Sequence, residues 1–223
     1  MTVRIAILGA GGNSLAIADA IFAINAASGA EVYALAGFFD DLPENSGRTI
    51  LGAPVLGTIA DAANAPADLR FINGIASVSS FRLKTHVLAR SGVPPERFET
   101  IVHPRAVIAR TARIGRGTAI MANSVVASEA RVGDHALMLE CSTVNHHASV
   151  GDHATISAGV TILGYVSVGD GAFVGGGSSI APYVKIGDGA LVGMGAAVLR
   201  DVEPGTVVAG NPARVLPDSR YKA

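Results

Sequence analysis

From Val102 to Glu203 the chain repeats every six residues without a slip. Counted in sixes from Val102 to Val198, all 17 lead positions are Val, Ile or Met. Four places further on in each unit the residue is small or β-branched, as in Ala106, Thr118, Ser124, Ala154 and Val160. Glycine-acid pairs recur between them: Gly133-Asp134, Gly151-Asp152, Gly169-Asp170 and Gly187-Asp188. A period of six fits neither an α-helix nor one long strand. It fits a solenoid whose unit is a short strand and a corner. Three units close a triangular coil of 18 residues, so residues 18 apart stack at a strand spacing of roughly 4.8 Å. Burying each lead Val or Ile stabilises by roughly 1.5–3 kcal/mol, and the adjacent coil supplies the cover. The repeat predicts a parallel β-helix.

A chain of 223 residues has room for one domain or two, and with 49% hydrophobic residues a core is assured. A net charge of −1 with 17 Lys plus Arg argues against nucleic acid or an anionic membrane as the main partner. Cys141 is the only cysteine, which excludes an internal disulfide and makes a reducing compartment the default. The opening apolar run is too short for a signal peptide, and no stretch reaches the length of a membrane span. The sequence reads as a soluble cytoplasmic protein.

The N-terminal third has a different pattern. Val3 to Leu8 is apolar and runs into Gly9-Ala10-Gly11-Gly12-Asn13-Ser14, followed by a helical pattern through Leu15, Ala18, Phe22 and Ala26. Strand, glycine turn and helix together let backbone N–H groups meet a phosphate. A second strand, Glu31 to Phe39, ends in Asp40-Asp41, where an acid is placed to accept from a ribose or a base. Thr58 to Asn64 reads as a short helix stopped by Pro66. Asp68 to Asn73 reads as a third strand before Gly74, and Val78 to Ser91 as a further helix. These elements predict a small Rossmann-like unit. The glycine run lacks the third glycine of the dinucleotide fingerprint. The chain is also too short for a dehydrogenase's substrate domain, so hydride transfer is not expected. Val93-Pro94-Pro95 cannot be helix interior. This divides the chain into residues 1–99, a nucleotide-binding unit, and 100–223, the β-helix.

Six histidines are present. His135 and His153 occupy the same place in two Gly-Asp-His-Ala units 18 residues apart, and read as solvated corners. His146 and His147 replace the usual corner with Asn145-His146-His147. Eighteen residues beyond His146 stands Gly164, so a bare backbone N–H falls one strand spacing from an imidazole. Acyl transfer needs that pair, a base beside an oxyanion donor. Gly159, Gly177 and Gly195 form one stacked column and Ser157, Gly175 and Gly193 another. Two readings remain open for them: a thin ligand lying on backbone, or a packed neighbouring subunit.

Taken in order, the glycine turn, Asp40-Asp41, the hexapeptide coils, the Asn-His-His-Ala corner and the closing Gly210-Asn211-Pro212-Ala213-Arg214 resemble the nucleotide-sugar acyltransferases of the left-handed β-helix family. The similarity is to the UDP-4-amino-sugar N-acetyltransferases of bacillosamine-type pathways and their perosamine and sialic-acid relatives. It implies a left-handed coil, a homotrimer, acetyl-CoA as co-substrate without a metal, and a nucleotide-linked amino sugar as acceptor. Carried over by position, it implies the base at His146, beside His147, with Gly164 as oxyanion donor. Nucleotide-sugar contacts fall on Gly11, Gly12, Asn13, Asp40, Asp41 and Gly74. Acetyl-CoA contacts fall on Thr155, Gly164, Gly176, Gly193 and Met194. The family often has Asp or Glu after the base where this chain has His147, and His where it has Asn13. A histidine often found in the coil after the base is Thr155 here, and the asparagine common one unit before it is Leu139. Three other readings compete: an O-acetyltransferase of the same fold, a non-catalytic sugar-binding relative, and a metal hydratase using His135, His147 and His153. The spacing of that histidine set does not fit the hydratase ligand pattern.

Overall fold

The computed structural model describes residues 2–217. Its N-terminal part is a five-stranded sheet of β1 (Val3–Leu8), β2 (Tyr33–Phe39), β3 (Thr49–Ile50), β4 (Ala53–Gly57) and β5 (Arg70–Asn73), in the order β3-β4-β2-β1-β5. Neighbours are parallel, except that β3 folds back antiparallel on β4. The β3–β4 hairpin was not legible in sequence, because both strands are short and Pro54 interrupts the apolar run.

Helix α1 (Gly12–Ser28) ends where Gly29 turns left-handed at φ 67°. Its buried face is Ile17, Ala18 and Ile21, packed with Ile5, Ile7 and Ile72. Leu15 and Phe22, which helped to mark the helical pattern, lie on its exposed side. The segment read as a helix from Thr58 is a 3₁₀ helix, Ile59–Asn64, held by a reciprocal cap between Thr58 and Asp61. The last helix starts later than predicted. Val78–Ser80 is a turn, Phe81–Leu83 a 3₁₀ turn, and α2 covers Lys84–Arg90. Phe98 still bridges to Phe71, so the first sheet holds the chain until just before Ile101, where the coils begin.

From Ile101 to Val198 each strand is two residues long, and strands 18 residues apart pair in register, as Val125 does with Val107 and Thr143. Three parallel sheets result. Face 1 holds Ile101, Ala119, Leu137, Thr155, Phe173 and Leu191, and continues to Val207–Ala209 and an antiparallel closing strand, Arg214–Val215. Face 2 runs from Val107–Ile108 to Ala197–Val198, and face 3 from Arg113–Ile114 to Lys185–Ile186. The lead residues and the small residues four places on form one continuous core from Ile120 to Val208. The lead column predicted to be buried is therefore inward, and the small residues of the corners are inward with it.

Corners are the costly places in such a coil, since one residue of nearly every corner adopts left-handed angles. Gly159, Gly177 and Gly195 do so at φ 68°, 69° and 65° on the corner between faces 1 and 2. Backbone geometry alone therefore accounts for that glycine column, without a ligand or a neighbour. Other corners put His or Tyr at the equivalent place: His135, His147, His153, Tyr165 and Tyr183 have φ between 54° and 66°.

The N-terminal domain sits on face 1 and on the corner between faces 3 and 1. Ile101, Ala119 and Leu137 pack with α1, while Phe81 and Val78 meet Phe173, Leu191 and Val207. Lys84 Nζ donates to Ala154 O at 3.4 Å, and Arg82 to Gly189 O at 3.3 Å. This cover corrects the expectation for His135 and His153. Their rings stack 5.3 Å apart, Phe98 meets His135 edge-on at 4.7 Å, and both Nδ1 atoms are buried without a partner. The repeat fixes them as outward from the coil, but it does not register the second domain lying over that corner. Burial, with smaller opposing contributions from nearby Asp side chains, holds both imidazoles below their ordinary range, His135 at about 4.

Lys84 is almost wholly buried there, and desolvation lowers it to about 7. An unfolded lysine keeps its proton up to about 10.5. Between these values the unfolded state binds more protons, so stability rises with pH. Lys84→Met removes this linkage. The variant is expected to be more stable than the parent at pH 7, with the gap shrinking by about 1.4 kcal/mol per pH unit as pH rises to about 10. Denaturant titrations of both proteins at pH 7, 8 and 9 check this; a gap that does not change with pH would contradict it.

Candidate active site

The glycine turn between β1 and α1 forms one wall of a cavity of about 350 Å³, and all six residues assigned to nucleotide-sugar contact line it: Gly11, Gly12, Asn13, Asp40, Asp41 and Gly74. No side chain caps the start of α1, and no acid stands in its first turn, so the free N–H groups of a 17-residue helix open toward the cavity. The two acids are less free than the sequence implied. Asp40 accepts from Ala10 N at 2.7 Å, Leu42 N at 2.8 Å and Asn45 Nδ2 at 3.0 Å. Asp41 accepts from Ile59 N and pairs with Arg90, both at 3.0 Å. Asp40 thus ties the glycine turn to the loop after β2 and shapes the cavity from behind.

A second cleft, about 590 Å³, lies over face 1 and its corner with face 2. Gly176, Gly193 and Met194 line it, with Ser157 and Gly175 of the second small-residue column and the apolar side chains Val78, Phe173, Leu191 and Val207. The segment after β5 divides the two spaces, with Ser77 and Ser80 facing the glycine turn and Val78 facing the cleft. Thr155 is not in the cleft. It is fully buried on face 1 under the N-terminal domain, and its hydroxyl has no partner. A contact between Thr155 and acetyl-CoA is therefore not supported: the side chain that replaces the histidine of similar sequences is spent in the domain interface.

His146 and Gly164 meet on the corner between faces 2 and 3. A Cβ on Gly164 would lie 2.6 Å from His146 Cε1 and 2.9 Å from Nε2, so only glycine leaves room for the ring. Contrast with the corner between faces 3 and 1 explains why the Gly164 N–H is available. There each aspartate caps the N–H one coil earlier, as Asp152 does for Asp134 at 2.7 Å and Asp170 for Asp152 at 2.8 Å. Above Gly164 the corresponding residue is Pro182, with no acceptor side chain, and the Gly164 N–H has no partner among the described residues. His146 and His147 are both exposed in the single chain.

The sequence reading missed two residues here. Tyr165 stacks on His147 at 4.8 Å and Tyr183 on Tyr165 at 5.1 Å, and Tyr165 also meets the His146 ring edge-on at 5.4 Å. The signal was available, because 147, 165 and 183 are spaced by 18, as are 146 and 164. His147 does not join His135 and His153, which lie on a different corner, so one chain does not bring the hydratase histidine set together. Cys141 lies on the third corner, away from His146.

Residues 4–84 match the PglD N-terminal domain family, and residues 165–200 match the hexapeptide repeat of succinyl-transferase family. The chain is thus a two-domain protein that joins a PglD-type Rossmann-like domain to a left-handed β-helix, the architecture of the nucleotide-sugar acetyltransferases. It is 26% identical to the acetyltransferase domain of PglB from Neisseria gonorrhoeae, solved with acetyl coenzyme A, with 97% of this chain and 100% of that one covered at a TM-score of 0.83. PerB from Caulobacter crescentus, solved with CoA and GDP-perosamine, is 27% identical over 96% of this chain and 97% of its own at 0.81. WeeI from Acinetobacter baumannii is 27% identical over 96% and 100% at 0.67. No curated protein matches the chain in sequence.

Gly164→Ala is expected to leave the β-helix folded, since the position faces outward, but to drive the His146 ring from its place. The chemical shifts of the His146 and His147 ring protons report this directly. Unchanged shifts would mean that the ring and the glycine do not touch in solution.

Proposed function

We propose that the chain is an acyl-CoA-dependent N-acetyltransferase acting on a nucleotide-linked amino sugar, and that it works as a homotrimer. The observation that carries the reading is the imidazole of His146 packed on Gly164, whose amide is uncapped among the described residues. The nucleotide cavity at the open end of α1, and the similarity to proteins solved with acetyl coenzyme A or with CoA and GDP-perosamine, supply the two substrates.

In this mechanism the sugar amine attacks the thioester carbonyl carbon while His146 Nε2 takes the proton the amine loses. The Gly164 N–H donates to the oxygen on which charge develops. The carbon–sulfur bond then breaks, the amide forms, and the proton passes from His146 to the departing sulfur, which leaves as CoA thiol. No covalent enzyme intermediate is needed, and Cys141 has no part in it.

The fold adds one requirement. Both cavities lie on the side of face 1, whereas His146 stands on the opposite edge of the prism, between faces 2 and 3. A sugar held by one chain therefore meets the imidazole of another, and closed three-fold symmetry provides each site with both.

His146→Ala should lower kcat by about 10²–10⁴-fold, the usual worth of general-base assistance. CoA thiol release measured with UDP-, GDP- and dTDP-linked amino sugars tests this, and a near-normal rate would remove His146 from the mechanism. Sharing between chains is tested by co-assembling His146→Ala with Gly12→Asp, whose carboxylate repels a phosphate at the helix start. Random mixed trimers should recover about a quarter of the parental sites. No recovery would mean that each chain uses its own base and pocket.

A further inference from the structure

The base proposed above has no carboxylate beside it, and the geometry points to what takes that place. His147 Nδ1 lies 3.3 Å from His146 Nδ1, with the two rings nearly perpendicular at 83°. We propose that His147 is the positioning residue for His146: it accepts the Nδ1 proton of His146 on its own Nδ1 and so leaves the lone pair on His146 Nε2, the nitrogen beside Gly164. This inference rests on the acyl-transfer reading for its kinetic consequence, but the hydrogen bond itself can be tested without turnover.

Two neutral imidazoles share one proton along this contact, so one ring must donate and the other accept. With His146 as donor, Nε2 is unprotonated and lies on the Gly164 side of the ring, 2.9 Å from where a Cβ on Gly164 would stand. With His147 as donor, Nε2 would carry the proton and the base would be blocked. His147 itself is held from two directions. Its backbone is left-handed at φ 59°, its N–H donates to Ser128 O at 3.1 Å, and its ring lies flat on Tyr165, which in turn lies on Tyr183. Stacking fixes the ring plane, and the 3.3 Å contact with His146 selects the flip that points Nδ1 at it. Besides Tyr165 and Tyr183, the same column holds the carboxylate of Glu129, one coil below, which makes no ion pair with His147 among the described residues. Hence the acceptor that faces His146 is a neutral nitrogen instead of a carboxylate.

Asparagine is the informative replacement, because its Oδ1 occupies the branch position of His Nδ1 and because asparagine tolerates left-handed angles. His147→Ala should lower kcat by about 10–100-fold, the usual worth of a group that orients a histidine, with little change in KM for either substrate. His147→Asn should recover most of the loss. Tyr165→Phe should behave as the parent, and Tyr165→Ala should fall between the parent and His147→Ala. Nitrogen-15 shifts of the free protein should show the Nδ1–H tautomer at His146, and a shift toward Nε2–H in His147→Ala. An unchanged kcat in His147→Ala, no recovery in a folded His147→Asn, or an Nε2–H tautomer in the parent would each overturn the proposal. If His146→Ala were also fully active, the acyl-transfer reading would fail instead, while the tautomer measurement would still decide the hydrogen bond.

Discussion

Everything in the C-terminal domain depends on one constraint: the coils stack in register, so each residue sits on the residue 18 places away. A parallel ladder with two-residue strands leaves little freedom to slip, because a one-residue shift would turn the Val and Ile columns outward. In-register stacking has a chemical consequence as well. It converts sequence spacing into contact along an edge, so a substitution at one corner is felt by the corner above it.

The edges of the prism show what that coupling allows. Along the edge between faces 3 and 1, an aspartate in successive coils caps the amide below it, and the edge is closed to ligands. Along the edge between faces 2 and 3, the same column reads Ser128, His146, Gly164 and Pro182. Nothing there caps the Gly164 amide. The bulk of the imidazole and the absence of a side chain at Gly164 are two halves of one packing solution. Among the described residues the Ser128 and His146 amides on this edge also lack an acceptor, so what singles out Gly164 is the imidazole packed against it.

Much of this was legible in the sequence, because a strict repeat makes spacing equivalent to geometry. The coil, its inward lead column and the His146–Gly164 contact follow from counting. Tyr165 and Tyr183 follow from the same counting and were overlooked only because tyrosine is not a usual proton carrier. What escaped the sequence depends on contacts between the domains. His135 and His153 carry the same corner pattern that elsewhere faces solvent, and only Phe98 and Lys84, some 40 to 70 residues away in sequence, bury them. The burial of Thr155 escaped for the same reason. Asp40 lines the cavity, but nothing local showed that Ala10, Leu42 and Asn45 already hold its carboxylate.

The corner residues carry a further lesson about how the two requirements of stability and chemistry meet. A left-handed residue other than glycine costs of order 1 kcal/mol, and this chain accepts that cost at His147 and Tyr165, as at Asn123, Cys141, His135 and His153, although glycine stands at other equivalent places. Packing alone does not require it, since Gly159, Gly177 and Gly195 turn the neighbouring edge without side chains. Part of the cost is offset by stacking between His147, Tyr165 and Tyr183, each pair being worth about 0.5–1.5 kcal/mol beyond the area it buries. Yet Tyr183 is 71% exposed, so it covers little apolar surface. An exposed aromatic ladder built on strained backbone is therefore poorly explained by the stability of one chain. It is well explained as a rigid wall that keeps one imidazole facing another.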